Sequence, residues 1–546
     1  MRGQRAGAVV LVPVAVLVLL PLARLVQVAW SEGRVGPVLG SPAFGTALAH
    51  TLVLALAVTA AAVPIGVALA LALRRPDVPG RRFWRVAVLL PVLVPDFVLG
   101  YSWTQAYGPA GFTDTVLGVS WAGLTGPVGV WLVLVVNATP VAYLVAAAGL
   151  GARAEAQLER AARASGAGPV TVLRTVTLPL LAPAIAAAAV LVGTLTLGTF
   201  AIPQVLGAPA GFRTVATQIY ADLSLGGDPA SFGEAVTLAL VLVLLALLCV
   251  APADAALGPR LRSARTAETP VGSATPARRA VGRGIAALIG GWLVLTVGLP
   301  LLALLLASVT RAVGLPPTPA NWTLAAFREV LTPRTLAALG RSAALAAAAA
   351  TVLLVLGTAV ALTERRRGWR GAGTVLTLTF VLPGSALGVA LLLAYGRWLS
   401  GTALILLAYL AKFFALAHRP VAGALDRLPL DEWRAARASG AGVLTAARTV
   451  GLPPLAPALL AGWSVCLLTG LHEVTMSSLL YAPGGETLAV VVLNSEQLGR
   501  IAPTAALSVV LTLLVAVPAL LLWPAVRRAG ARRPEPVLVR EAAHAT

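Results

Sequence analysis

The sequence predicts an all-α, polytopic membrane protein of about twelve transmembrane helices in two parallel six-helix repeats, and three observations carry that prediction. Of the 546 residues, 58% are hydrophobic and 11% charged, at a mean hydropathy of +0.88, whereas soluble domains carry about 25% charged residues. The apolar residues come in uninterrupted blocks of about 20, the length an α-helix needs to cross roughly 30 Å of hydrocarbon. Finally, Arg160 to Ala184 aligns without gaps on Arg434 to Ala458, with 19 of 25 positions identical, which marks an internal repeat.

Taken in order, the hydropathy places spans at about 8–30, 47–73, 86–105, 127–150, 181–201, 233–257, 285–309, 339–363, 373–395, 401–417, 456–479 and 504–525. The first block has no small-x-small cleavage site before Ser31, so it reads as a retained helix rather than a signal peptide. Arginine outnumbers lysine 40 to 1, and the connections on one side of the twelve spans hold 31 arginines against eight on the other. Cytoplasmic connections retain positive charge, so the sequence predicts a multi-pass protein of the cytoplasmic (inner) membrane with both termini cytoplasmic. The net charge of +20 is then topological, which excludes nucleic acid as the partner and leaves the lipid bilayer.

Residues 258–284 are rich in Pro, Ser, Thr and Arg and read as a cytoplasmic linker that buries no core. It separates a first unit at 1–257 from a second at 285–525, with a basic cytoplasmic tail at 526–546. Each unit has an even number of spans, so the repeat is parallel. The repeated segment falls in the connection after the fourth span of each unit, at 151–180 and 418–455. The two cysteines, Cys249 and Cys466, lie in apolar blocks and read as small buried hydrophobes.

Inside each repeated loop the residues fit a short helix, a left-handed glycine at Gly166 or Gly440, and a second helix. In the first loop Pro169 opens that helix, and Pro179 and Pro183 bend it into the membrane. Leu173, Val176 and Leu178 give an apolar edge, and Arg163 and Arg174 suit a partner's carboxylates. This is a docking element presented by two rigid spans.

The spacing Ala161-Ala162-x3-Gly166-x9-Val176-x-Leu178-Pro179, repeated as Ala435-Ala436-x3-Gly440-x9-Val450-x-Leu452-Pro453, resembles the cytoplasmic loop of permease subunits of bacterial ATP-driven (ABC) importers that use a binding protein. The family motif is Glu-Ala-Ala, three residues, Gly, nine residues, Ile, one residue, Leu-Pro. Here Arg160 and Arg434 stand at the glutamate, with Glu159 and Glu432 one and two residues before them. Two units fused in one chain look most like ferric-iron and thiamine permeases, and Val94-Pro95 and Leu382-Pro383-Gly384 resemble that group's Pro-Gly turn, with Asp96 in place of the first glycine.

The resemblance implies a transport subunit, not an enzyme, working with two copies of an ATPase subunit and a solute-binding protein. It holds no cofactor or metal of its own, and ATP and magnesium belong to the partner. The single lysine, Lys412, lies in Ala-Lys-Phe-Phe, so the chain has no Gly-x-x-x-x-Gly-Lys loop for ATP. A secondary transporter of twelve spans shares the repeat symmetry but not the duplicated loop. A membrane enzyme would need its four histidines placed near a nucleophile or a second histidine, and they are not.

Ionisable groups within spans are costly and face a pathway or a partner. Asp96, followed by Gly100 and Tyr101 on one helical face, either lines the pathway or pairs with Arg24. His472 and Glu473 fall in the outer third of span eleven, where the first unit has Gly198 and Thr199, and either line the pathway or bond between spans. Asn137 is a pathway candidate or helix-packing glue. Two carboxylates suit a cation, ferric iron first, with thiamine, polyamine or phosphonate importers as alternatives.

Overall fold

The computed structural model describes residues 11–32, 34–75, 77–151, 155–262, 276–367, 375–376, 378–428 and 430–531. The core of the expected linker and most of the basic tail lie outside the described residues. The flanks of the linker are helical, so the helices run further into 258–284 than hydropathy alone places them.

The first half contains α1 (Leu11–Ser31), α2 (Pro42–Arg74), α3 (Asp96–Tyr107), α4 (Pro127–Gly151), α5 (Glu155–Ala164), α6 (Leu178–Leu197), α7 (Val215–Ser224) and α8 (Pro229–Arg262). The second half repeats the order in α9 (Arg279–Val309), α10 (Pro333–Arg367), α11 (Gly384–Tyr395), α12 (Gly401–Asp426), α13 (Leu430–Ala438), α14 (Leu452–Leu471), α15 (Thr475–Leu480), α16 (Leu488–Gln497) and α17 (Ile501–Ala531). Ten helices among the described residues are long and apolar enough to cross a bilayer, and the protein is an all-α multi-pass membrane protein.

The two expected spans that do not appear as straight helices are the third and the ninth. Arg81–Leu93 and Asp96–Leu117 form one broken unit bent by 94°, and the described part of span nine is the short apolar α11. The cause is local. Val94 before Pro95 is extended at ψ 128°, as the proline ring requires of its predecessor. Pro95 and Pro383 both hold ψ 136° immediately before α3 and α11, so each helix starts afresh after its proline.

Each half is built on three mutually packed helices, α2, α4 and α6 in the first and α10, α12 and α14 in the second. The halves then exchange their first helices: α1 packs on α11 and α9 on α3. Tyr395 donates to the carbonyl of Val16 at 2.7 Å, and Trp103 to that of Thr296 at 3.0 Å. The exchange satisfies Tyr and Trp polar atoms at otherwise apolar crossings, where a bond is the alternative to an orphaned donor. Cys466 is buried as expected. Cys249 is exposed, because its position on α8 faces away from the bundle.

Candidate translocation pathway and docking loops

The two loops fold alike. In the first, Ala167 N–H bonds the Ala162 carbonyl and Gly166 N–H that of Arg163, both at 3.0 Å, with Gly166 at φ +86°. In the second, Ala441 bonds Ala436 at 3.1 Å and Gly440 bonds Arg437 at 3.2 Å, with Gly440 at φ +85°. This double bond closing over a left-handed glycine is the helix stop that the spacing predicts. Pro169 then opens the next helix at Pro169–Val172. The expected bend at Pro179 is instead absorbed one turn earlier: π-helical turns at Leu173–Thr177 and Ala447–Gly451 admit the prolines without a break. The second loop also starts later than expected, since α12 continues from His418 to Asp426.

The glutamates differ between loops. Glu159 accepts from Thr177 Oγ1 at 2.9 Å and from Arg74 at 3.4 Å, and Arg163 stands 4.0 Å away. The carboxylate therefore straps the loop to the end of α2. Glu432 is exposed and takes no such position. The residue matching Glu159 in the repeat is Trp433, whose ring lies 3.4 Å from where a Cβ on Gly451 would stand, and Gly451 matches Thr177. Of the motif residues, Ala161, Arg160, Arg434, Ala435 and Pro179 are exposed, while Ala162, Ala436 and Leu178 are half-buried; Leu452 and Pro453 are exposed. Arg434 pairs with Asp431 at 3.4 Å.

At the centre, each break is met by the end of a helix from the other half. A Cβ on Gly198 would stand 3.0 Å from Pro383 Cα, so the end of α6 lies directly against the break before α11. The counterpart of Gly198 is His472, and the charge of Asp96, at the other break, acts on it. His472 and Glu473 do not lie inside span eleven. The chain leaves helical geometry at His472, φ −115° and ψ 11°, and restarts as α15, so the hydropathy run extends past the true helix end.

Asp96 takes its hydrogen bond from Asn137 Nδ2 at 2.9 Å, whereas Arg24 bonds Gln27 on its own helix. The Arg24 pairing is thereby replaced by Asn137. His472 Nδ1 is buried and unpartnered. Glu473 spends both oxygens on α15: Oε1 accepts from Met476 N at 2.7 Å, and Oε2 from Ser477 N at 3.0 Å and its Oγ at 2.9 Å. Thr199 sits half-buried beside Gly198. Tyr101 is five residues along α3 from Asp96, about 7.5 Å of helix rise, and donates to the Ile501 carbonyl at 3.0 Å.

Lys412 joins the site only in the folded structure. Its ammonium caps the Phe380 carbonyl at 2.8 Å and that of Leu382, the acceptors released by the break at Pro383. A charge one helical position from the counterpart of Asn137 was the available signal.

The family described as the binding-protein-dependent transport system inner membrane component matches residues 62–263. Those residues carry the permease domain of an ABC importer. The chain is 26% identical over 498 residues to "Probable ABC transporter permease protein y4fN" of Sinorhizobium fredii, covering 84% of this chain and 83% of that one. It is 27% identical over 227 residues to the putrescine transport system permease protein PotI of Escherichia coli K12, across 39% of this chain and 81% of PotI. A Salmonella typhimurium protein named as a permease of 2-aminoethylphosphonate transport, PhnV, is 28% identical over 221 residues, across 39% of this chain and 83% of its own length. Membership makes the permease a transport subunit rather than an enzyme, and implies an ATPase and a solute-binding protein as partners.

Proposed function

We propose that the chain is two permease units fused in series, each presenting one docking loop to one ATPase subunit on the cytoplasmic side, with the pathway along the seam between halves. The observation that carries this is the duplicated loop with the same left-handed stop, φ +86° at Gly166 and +85° at Gly440. That PotI aligns over 81% of itself with 39% of this chain supports two units. The arginine asymmetry supports cytoplasmic loops and termini. Asp96, Asn137, Thr199 and His472 form the constriction in this reading, and Tyr101 lies further along the same route. Glu473 supports α15, the helix that follows it.

For the cargo, a solute bearing an ammonium group is favoured over ferric iron. Two of the three relatives, PotI and PhnV, are named for putrescine and 2-aminoethylphosphonate, both amines, and no group of three potential metal ligands converges among the described residues.

The test is at the loop glycines. A β-branched residue at φ near +85° costs roughly 1–2 kcal/mol and rebuilds the turn. Gly440→Val should abolish most ATP-dependent uptake and weaken co-purification of the ATPase while the chain still inserts. Uptake at the wild-type level would remove the second loop from coupling.

A further inference from the structure

We infer that Glu496, on the seam between halves and close to Tyr101 and Tyr220, is the carboxylate that receives the ammonium group of the cargo. This deepens the cargo reading above and rests on it. Glu496 lies near the end of α16 in the second half, half-buried, and its carboxylate takes none of the hydrogen bonds or ion pairs seen among the described residues. The first half meets the second on both sides of it. Gln497, the next residue, donates to the Tyr220 hydroxyl at 3.1 Å, and Ile501 accepts from Tyr101 at 3.0 Å. The Glu496 charge acts on both tyrosines.

A carboxylate drawn out of water without a donor is unfavourable unless a cation or a proton reaches it. Burial pushes the Glu496 carboxyl up to about 7, which expresses the same shortage of partners. The surroundings specify the kind of cation. Tyr220 packs its ring on Phe200 with centroids 5.0 Å apart, so the seam offers aromatic faces and hydroxyl oxygens beside the Glu496 carboxylate. That combination suits a primary ammonium, which takes one charge-assisted bond and cation–π contact, better than a multivalent metal ion, which needs several hard oxygen ligands. Both tyrosines belong to one half and the carboxylate to the other. A solute held here would therefore bridge the two bodies that must separate for it to pass.

The test is uptake of radiolabelled putrescine by cells carrying the full chain with its ATPase and binding protein. Glu496→Gln should lower uptake roughly tenfold or more, the loss of one charge-assisted bond, with Glu496→Asp recovering most of it. Tyr220→Phe should be milder than Tyr220→Leu, because the ring is kept. Co-purification with the ATPase reports assembly; if Glu496→Gln fails to assemble, the Tyr220 pair decides. Uptake by Glu496→Gln equal to wild type, or equal effects of Phe and Leu at Tyr220, would overturn the site. A wild-type complex that takes up ferric citrate or phosphate but no amine would overturn it too while leaving the permease reading intact. ATP-driven uptake of no probe at all would bring down both.

Discussion

Asn137 donates to the Asp96 carboxylate across 2.9 Å, and that bond ties the start of α3 to the middle of α4. Asp96 occupies the first turn of α3, where the helix dipole favours a negative group. One oxygen is thus committed to the protein while the charge stays on the seam beside His472. Asp96→Asn keeps an acceptor for Asn137 and removes only the charge. It should reduce uptake of a cationic cargo with little change in detergent thermostability, whereas Asn137→Ala should lower both. Full uptake by Asp96→Asn would show that the residue is only a tie.

Glu473 is predicted to behave oppositely. Its oxygens hold the first amides of α15, so it acts as a helix cap, and losing a cap costs about 0.5–2 kcal/mol. Glu473→Ala should lower the thermal transition in detergent, and Glu473→Gln, which keeps one acceptor, should lower it less. An unchanged transition with lost uptake would return Glu473 to the cargo route.

These two carboxylates show what the sequence makes legible. Both were visible as costly groups in apolar runs, and the duplicated loops with Gly166 and Gly440 were readable to the residue, because a helix stop is a local matter of backbone conformation. Which partner each carboxylate takes was not readable. Hydropathy runs smoothly through Leu90 to Tyr107 and past Leu471, so it hides the breaks at Pro95 and His472. The exchange of α1 and α9 between halves is a long-range packing choice with no local signature. Lys412 caps carbonyls that exist as free acceptors only because Pro383 breaks the helix. Asp222 and Glu496 occupy matching positions of the repeat, a signal that lay in the alignment but outside the apolar blocks.

Asp222 supplies a pH prediction. It is 9% exposed, with Oδ1 accepting from Gln218 at 2.7 Å and Oδ2 unpartnered. Burial, opposed by the Gln218 bond, raises its carboxyl to about 6, with Glu234 and Asp228 adding to the rise and Arg213 reducing it. The folded protein prefers the protonated form, so this stabilisation is complete below the ordinary carboxyl range near 4 and is lost as pH rises through about 6. Asp222→Asn keeps the acceptor for Gln218 and cannot ionise. Its thermal transition should match wild type near pH 4 and exceed it at pH 8. Parallel curves across that range would remove Asp222 as the source.

The two loops reach one backbone by different contacts, which allows a transplant. Glu159 with Thr177 is a polar strap in the first loop, and Trp433 with Gly451 is a ring over a glycine in the second. Glu159→Trp alone leaves the large ring against Thr177 and strips Arg74 of its carboxylate. Thr177→Gly alone deletes the donor to Glu159. Each single change should therefore loosen the loop and reduce the ratio of uptake to ATP hydrolysis. The double change reproduces the second loop's pair, so it should recover part of the loss, a non-additivity of the size expected for residues in contact, about 0.5–3 kcal/mol. The residual deficit should come from Arg74, which loses its hydrogen bond to Glu159. Strict additivity of the two single effects would mean that the strap and the ring are not alternative solutions to one packing problem.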